Sequence, residues 1–303
     1  MARTPIHTLD LNFQGRPLAV AAYLLEHSNG VVLVESGPGS TLESLFQSLS
    51  SLGYKPADIT HVFLTHIHLD HAGGAGELAG YGAQVMVHPV GAPHMLNPEK
   101  LISSASRIYG DRMETLWGRF LPVPAEKLTI LQDDDEVQVG NLRFRAINTP
   151  GHAEHHYCYQ FEDLCFSGDV GAVRIPGYQY LRTPMPPPEF HLEKWRESVR
   201  KLKNYKFSRI APTHFGVFDD VDWHLDATLN ALDKVEAWME KVMPANLSIE
   251  VMRQSFVSWM EEQALRQGLD PKVVEAFQLS NPVGMSVDGL ARYWKKYRSE
   301  NNS

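Results

Sequence analysis

Short apolar runs, alternating or continuous, recur between polar turns along the first two-thirds of the chain. The segments 18–27, 30–35, 61–65, 84–88, 136–140, 142–148, 156–161, 164–168 and 209–213 are rich in β-branched and aromatic residues. Several are bounded by Gly, Pro or Asp, the pattern of strands. Two-residue connections at Gly140–Asn141 and Glu162–Asp163 predict hairpins. Helical stretches fall between the strands at 41–52, 72–80, 101–118 and 190–203. Strands, helices and hairpins mixed in this order argue for mixed sheets with helices outside, not a purely parallel doubly wound sheet.

From Val221 the texture changes. Leu225, Leu229, Leu232, Val235 and Met239 recur at spacings of three and four, as one face of a helix requires. A second helix is predicted over 248–267, ended by Gly268. A third follows Ser286, with Val287, Leu290, Ala291, Trp294 and Tyr297 on one side. The expected organisation is a larger α/β domain over 1–220 and an all-helical appendage over 221–303, whose aromatic residues read as packing.

Composition narrows this picture. At 43% hydrophobic the chain is globular, and no apolar run is long enough to span a membrane. The N-terminal stretch lacks the apolar core of a secretion signal, so a cytoplasmic protein is expected. Cys158 and Cys165 fall in neighbouring predicted strands and read as buried reduced thiols. A net charge of −8 argues against a nucleic-acid partner, which would need a basic stripe. A small-molecule substrate is the partner expected, and the helical tail offers a surface for a homodimer.

The chemistry concentrates in LTHIHLDHAGG (64–74), which packs His66, His68, Asp70 and His71 into six positions. Burying such groups unpaired would cost several kcal/mol, so packing alone does not account for them. Imidazoles and a carboxylate converging suit a borderline divalent metal. In an extended segment, alternation would turn His66, His68 and Asp70 to one side. The glycines that follow allow close backbone approach. Further ligand types stand just after predicted strands: His152 in NTPGHAEHH, Asp169 in CFSGDV and His214 in APTHFG. Five histidines and two aspartates suffice for two metals, with one carboxylate shared.

The ordered set THIHLDH, TPGH, SGD and THFG resembles the metallo-β-lactamase superfamily of metallohydrolases, over roughly residues 17 to 220. The resemblance implies an αββα four-layer sandwich with a dinuclear site at one edge. It assigns His66, His68 and His152 to a first metal, Asp70, His71 and His214 to a second, and Asp169 to both. The metals are expected to be zinc, with iron and manganese also compatible with these donors. Two departures stand out. Many members have Asp-Thr-Gly where this chain has Glu35-Ser36-Gly37, which bears on support of the ligands. Around the third motif His156 keeps its expected place and reads as a partner orienting a ligand, while His155 replaces a glycine and reads as structural.

The reaction implied is hydrolysis by a metal-activated hydroxide, with Asp70 orienting the water and relaying its proton. Small esters, lactones and thioesters are the expected substrates. A glyoxalase II-like thioesterase, a phosphodiesterase and a catalytically silent metal-binding module are the alternatives. Between Asp169 and the next helix lie Arg174, Tyr178 and Tyr180. Tyr178 or Tyr180 would supply a phenol to the substrate oxygen, or both rings pack beneath the Pro-rich loop. The long insertion 88–124 is expected to form a helical flap with His94, Tyr109 and Trp117 as candidate lining, core packing being favoured for Trp117. The acidic run Asp133–Glu136 reads as a solvated turn.

Overall fold

In the computed structural model, which describes residues 3–280 and 283–299, the chain forms two units. The first comprises Met1–Asn148 with His155–Gly168, the second Thr149–Glu154 with Asp169–Ser303. The first unit is built on two sheets. One runs in the order β1 (Ile6–Asp10), β2 (Ala21–His27), β3 (Gly30–Val34), β4 (Ile59–Phe63), β5 (Gln84–Val87), β6 (Leu128–Ile130). Its first three strands pair antiparallel and β3 to β6 pair parallel. The other is an antiparallel meander of β7 (Glu136–Val139), β8 (Leu142–Asn148), β9 (Tyr157–Phe161) and β10 (Leu164–Phe166). Both predicted hairpins form, since Val139 pairs with Leu142 and Phe161 with Leu164.

The sheets meet through aromatic rings. Phe63 of β4 stacks on Phe144 of β8 at 4.4 Å and meets Tyr159 of β9 edge-on at 5.2 Å. Tyr23 of β2 packs on Phe166 of β10 at 5.3 Å. Such pairs gain about 0.5–1.5 kcal/mol beyond the area they bury. The other face of the first sheet is covered by α1 (Leu42–Ser51), α2 (Leu69–Ala72) and α3 (Ala75–Gly80), whose Leu45, Leu49 and Leu78 join Leu24, Leu33, Val62 and Val85 in one core. The central parallel strands are therefore buried on both faces, which is why they read as continuous apolar runs. The insertion folds as α4 (Ala92–Leu96), α5 (Glu99–Tyr109) and α6 (Met113–Trp117), and Trp117 stacks on Phe13 at 5.4 Å as packing.

The second unit contains α7 (Leu192–Lys203), the short β11 (Arg209–Ala211), and four C-terminal helices: α8 (Val221–Val242), α9 (Ile249–Arg266), α10 (Pro271–Ser280) and α11 (Val283–Tyr297). An isolated bridge pairs Val173 with Arg182, and another pairs Val173 with His214. Ala264, Val274 and Phe277 of the C-terminal helices, with Leu269 from the connection between α9 and α10, form a core with Val173, Ile175 and Tyr180.

Several elements differ from the pattern-based expectation for identifiable reasons. β1 and β6 were absent from it: β1 is half exposed and β6 has three residues. The helix expected over 101–118 breaks at Gly110, where φ is +53°. The residues expected to continue a strand through 65 instead leave it after Phe63, and Asp70 lies in the first turn of α2. Strand alternation is therefore not what arranges the histidine cluster. Cys158 and Cys165 are buried free thiols, as expected; Cys165 sits opposite Gln160 in the β9–β10 ladder.

Candidate metal centre

β3 and β4 are parallel neighbours, so the chain leaves both at the same sheet edge. Glu35 follows β3 and Thr65 follows β4, and the Glu35 amide donates to Phe63 O at 2.9 Å. The second sheet holds the loop that comes next: Tyr157 N donates to Thr65 O at 2.7 Å and the Tyr159 hydroxyl to Leu64 O at 2.9 Å. His68 then caps α2, with His71 N and Ala72 N both donating to His68 O at 3.0 Å. This short helical turn brings His71 back beside His66, their ring centroids 3.9 Å apart. Gly73 is required by the return: a Cβ there would lie 2.6 Å from Leu69 O and 2.8 Å from Gly39 N.

Each buried imidazole has one nitrogen tied by a neighbour. Glu35 Oε1 accepts from His71 Nδ1 at 3.0 Å, leaving Nε2 as the outward nitrogen, 3.7 Å from Asp70 Oδ2. Thr65 Oγ1 is 3.0 Å from His66 Nδ1, and His66 Nε2 lies 2.8 Å from His68 Nδ1. These two ring nitrogens, on buried and half-buried rings, are within hydrogen-bond distance of each other. Glu35 is completely buried and holds φ +70°, outside the usual range for a side chain of its size. It also accepts from the Thr65 hydroxyl at 2.5 Å, so one carboxylate fixes both Thr65 and His71. Ser36 completes the clamp, its Oγ and N donating to His71 O at 2.8 and 2.9 Å.

The second unit presents a group of its own. His152 Nδ1 is 2.9 Å from Pro184 O, and its Nε2 is 3.2 Å from Asp169 Oδ2. His214 Nε2 is 3.4 Å from the other oxygen, Asp169 Oδ1. One carboxylate thus lies between two imidazoles, an oxygen to each. The turn before His152 is set by Gly151 at φ +138°, where a Cβ would be 2.3 Å from Trp195 Cα of α7. His191 N donates to Gly151 O and the Ser198 hydroxyl to Pro150 O, fastening the same turn. His214 follows β11, and its carbonyl accepts from Arg174 N. The Arg174 guanidinium makes a bidentate pair with Asp220 at 2.6 and 2.7 Å, stacks on Phe218 at 4.0 Å, and contacts His224 Nδ1 at 3.2 Å.

His66, His68, Asp70 and His71 gather within the first unit, and His152, Asp169 and His214 within the second, each offering a donor atom suited to a metal ion. His156 is buried beside His66, with centroids 5.1 Å apart, and His155 Nδ1 accepts from Ile67 N at 3.4 Å. Tyr180 is buried against Phe277 at 5.0 Å, and its hydroxyl accepts from Arg182 Nε at 3.3 Å. Tyr178 packs half-buried on the same core. In the insertion, burial and then the Asp70 charge push the Tyr109 phenol well above its ordinary range. Thr65 and Pro184 were not foreseen as orienting groups, whereas the Glu35-Ser36-Gly37 departure had already been tied to support of the ligands. Glu35 alone left a trace in the sequence, an acidic side chain directly after a fully apolar strand.

Residues 15–214 match the metallo-beta-lactamase superfamily. A metallo-beta-lactamase fold-containing protein of Sulfurisphaera tokodaii is 26% identical over 205 residues, covering 66% of this chain and 74% of that one. The crystal structure of an archaeal superfamily protein from Sulfolobus tokodaii superposes with a TM-score of 0.66 at 20% identity, over 95% of this chain and 99% of that one. The hydroxyacylglutathione hydrolase of Aeromonas hydrophila is 26% identical over 148 residues, 49% of this chain and 45% of its own. An atrochrysone carboxyl ACP thioesterase of Aspergillus fumigatus is 26% identical over 202 residues, 66% of this chain and 51% of its own. The chain spans about half the length of these last two relatives. With its α/β architecture, its C-terminal helical region and its ordered ligand motifs, the chain belongs to the metallo-beta-lactamase superfamily.

Proposed function

We propose that the protein is a hydrolase of small esters, lactones or thioesters that works with two divalent cations, zinc by preference. His66, His68 and His152 would hold the first, Asp70, His71 and His214 the second, and Asp169 would be shared. The observation that carries this reading is the orientation of the imidazoles: Glu35, Thr65 and the Pro184 carbonyl each tie one nitrogen and turn the other toward a further donor. Histidines fixed in this way are characteristic of metal ligands, and a neutral imidazole and carboxylate set fits zinc, iron or manganese. When bound, such a pair of ions acidifies water and polarises a carbonyl oxygen. The chain's own part is to position. Asp70, with a partly exposed side chain, is the group to orient water and accept its proton.

For Tyr178 and Tyr180, the apolar cluster and the bond from Arg182 support packing over delivery of a phenol to substrate. The relatives named as a hydrolase and a thioesterase favour acyl cleavage over phosphodiester cleavage. Retention of all seven ligand types argues against a silent module. The free buried thiols fit a reducing, cytoplasmic setting. The proposed division at 220/221 leaves the four helices of 221–303 as an appendage, with a homodimer surface among its roles. The test is metal content with a panel of lactone, thioester, phosphodiester and β-lactam substrates. About two metals per chain and acyl cleavage are expected. Replacing His66 and His68 together by alanine should lower the metal content and abolish turnover; unchanged stoichiometry would sink the reading.

A further inference from the structure

Within the second unit, the segment that orients His152 is nearly devoid of backbone donors. In Pro184-Met185-Pro186-Pro187-Pro188 the Met185 amide is the single N–H. An isolated bridge holds Arg182 to Val173 two residues upstream, but proline cannot extend such a ladder. The register of Pro184 is therefore set by side chains packed against the segment. That register matters, because the Pro184 carbonyl accepts from His152 Nδ1 at 2.9 Å. A carbonyl can only accept, so it puts the imidazole proton on Nδ1 and leaves Nε2 as the free electron pair.

The C-terminal helix α11 supplies the register. The Met185 amide donates to the buried Ser286 hydroxyl at 3.3 Å. Nearly one turn on, Gly289 brings its backbone against the same residue. A Cβ there would lie 2.1 Å from Met185 O and 3.0 Å from Pro186 C. Glycine is a poor residue for a helix interior, so the close approach accounts for it and helix propensity does not. The contact continues along the helix. Tyr293 packs on Phe190 at 5.3 Å and donates to Glu193 at 2.6 Å, and Tyr297 meets the His191 ring at 4.5 Å. Positions 286, 289, 293 and 297 follow the three-and-four spacing of one helix face.

The segment under that face also carries the turn with His152. His191 N donates to Gly151 O at 2.8 Å, and Glu154 N donates to Glu189 Oε2 at 2.9 Å. Trp195 of α7 meets the His152 ring edge-on at 5.5 Å. Residues 184–195 thus link α11 to His152, and where they lie decides where Nε2 points. We propose that Ser286 and Gly289 are positioning residues for His152, acting through Met185 and the Pro184 carbonyl, so that α11 sets the affinity for the cation His152 would hold. The proposal rests on the metal reading of His152 given above.

The test uses the full chain and compares Gly289→Ala and Ser286→Ala with Val287→Ala. Val287 is buried on the same helix but lies about 100° around it from Ser286, so its truncation lowers stability without touching this face. Zinc affinity is read by chelator competition. The His152 Nδ1 proton is read by NMR with and without zinc, and is assigned by its loss in His152→Gln. In the wild type that proton should exchange slowly and resonate downfield, held by the Pro184 carbonyl. Gly289→Ala should weaken zinc binding by about 10-fold or more and shift or lose the proton, with Ser286→Ala acting in the same direction. Val287→Ala should lower the Tm and leave both readouts where they are. Wild-type affinity and an unmoved proton in Gly289→Ala and Ser286→Ala overturn the proposal, as does an equal response in Val287→Ala. A loss of affinity with an unmoved proton also overturns it, since the effect would then not pass through His152. If the wild type binds no zinc while the proton still responds to Gly289→Ala, the metal reading falls and the link from α11 to His152 stands. Should Gly289→Ala fail to fold, Ser286→Ala decides by the same two readouts.

Discussion

Glu35 has the most to do of any side chain outside the ligand set. It is buried, sits in a left-handed conformation that costs on the order of 1–3 kcal/mol, and accepts from both Thr65 and His71. The longer side chain reaches where a shorter aspartate is usual in this position of the family. A carboxylate on Nδ1 fixes the ring and makes Nε2 a better donor, and losing such a partner typically costs 10–100-fold in metal affinity. Glu35→Ala should therefore weaken binding of the second cation by about 10–100-fold in a chelator competition, with the first less affected. An unchanged competition curve would mean that Glu35 serves only the fold. The cluster of candidate ligands stood out in the sequence because packing alone does not bring so many metal-binding residue types to such tight spacing. Of the orienting groups only Glu35 was marked, by its departure from Asp-Thr-Gly; Thr65 and the Pro184 carbonyl were not, because they become partners only when separate segments meet.

At the level of elements, the N-terminal part of α8 braces the segment that carries His214. Asp220, just before the helix, pairs with Arg174, and His224 on its first turns offers Nδ1 to Arg174 and Nε2 to Gly171 O at 2.6 Å. Burial, with the Arg174 charge adding to it, drives the His224 imidazole down to about 4. The neutral ring accepts from Arg174 and donates to the carbonyl, and a protonated ring could not do both. Between about pH 6.5 and pH 4 the unfolded chain takes up a proton that the folded chain refuses. Stability from this group is thus complete above 6.5 and declines as pH falls, by roughly 3 kcal/mol at pH 4. His27, His61 and His191, also lowered by burial, act in the same direction. Urea midpoints from pH 7.5 to 4 should drop accordingly, and His224→Gln should flatten the curve; an equally steep variant would refute the assignment. Elements of this kind were legible where periodicity was strong, as in α8, and where a hairpin turn fixed register, as at Gly140. They were missed where the signal was short or local: α10 opens on Asp270-Pro271, a start signal of cap and N1 proline that no long apolar face accompanies.

For the molecule as a whole, the change of texture at Val221 coincides with the start of α8, yet the compact unit that includes it reaches back to Asp169. The reason is packing. Val173, Ile175 and Tyr180, on the segment after Asp169, share a core with Ala264, Leu269, Val274 and Phe277 of the C-terminal region. Apolar periodicity can record that a helix such as α9 has a buried side but not which segment covers it, so the partnership is invisible along the sequence. Ending the chain at residue 221 would leave those three side chains and Arg182 without their cover, at about 1.5–3 kcal/mol for each large apolar group returned to water. It would also unseat the backbone bridges that run from Arg182 through Val173 to His214. The truncated chain should therefore lose soluble expression or lose metal together with its helices, read by solubility and by metal content per chain. A soluble 1–221 fragment retaining full metal would show instead that the helices are a separable attachment.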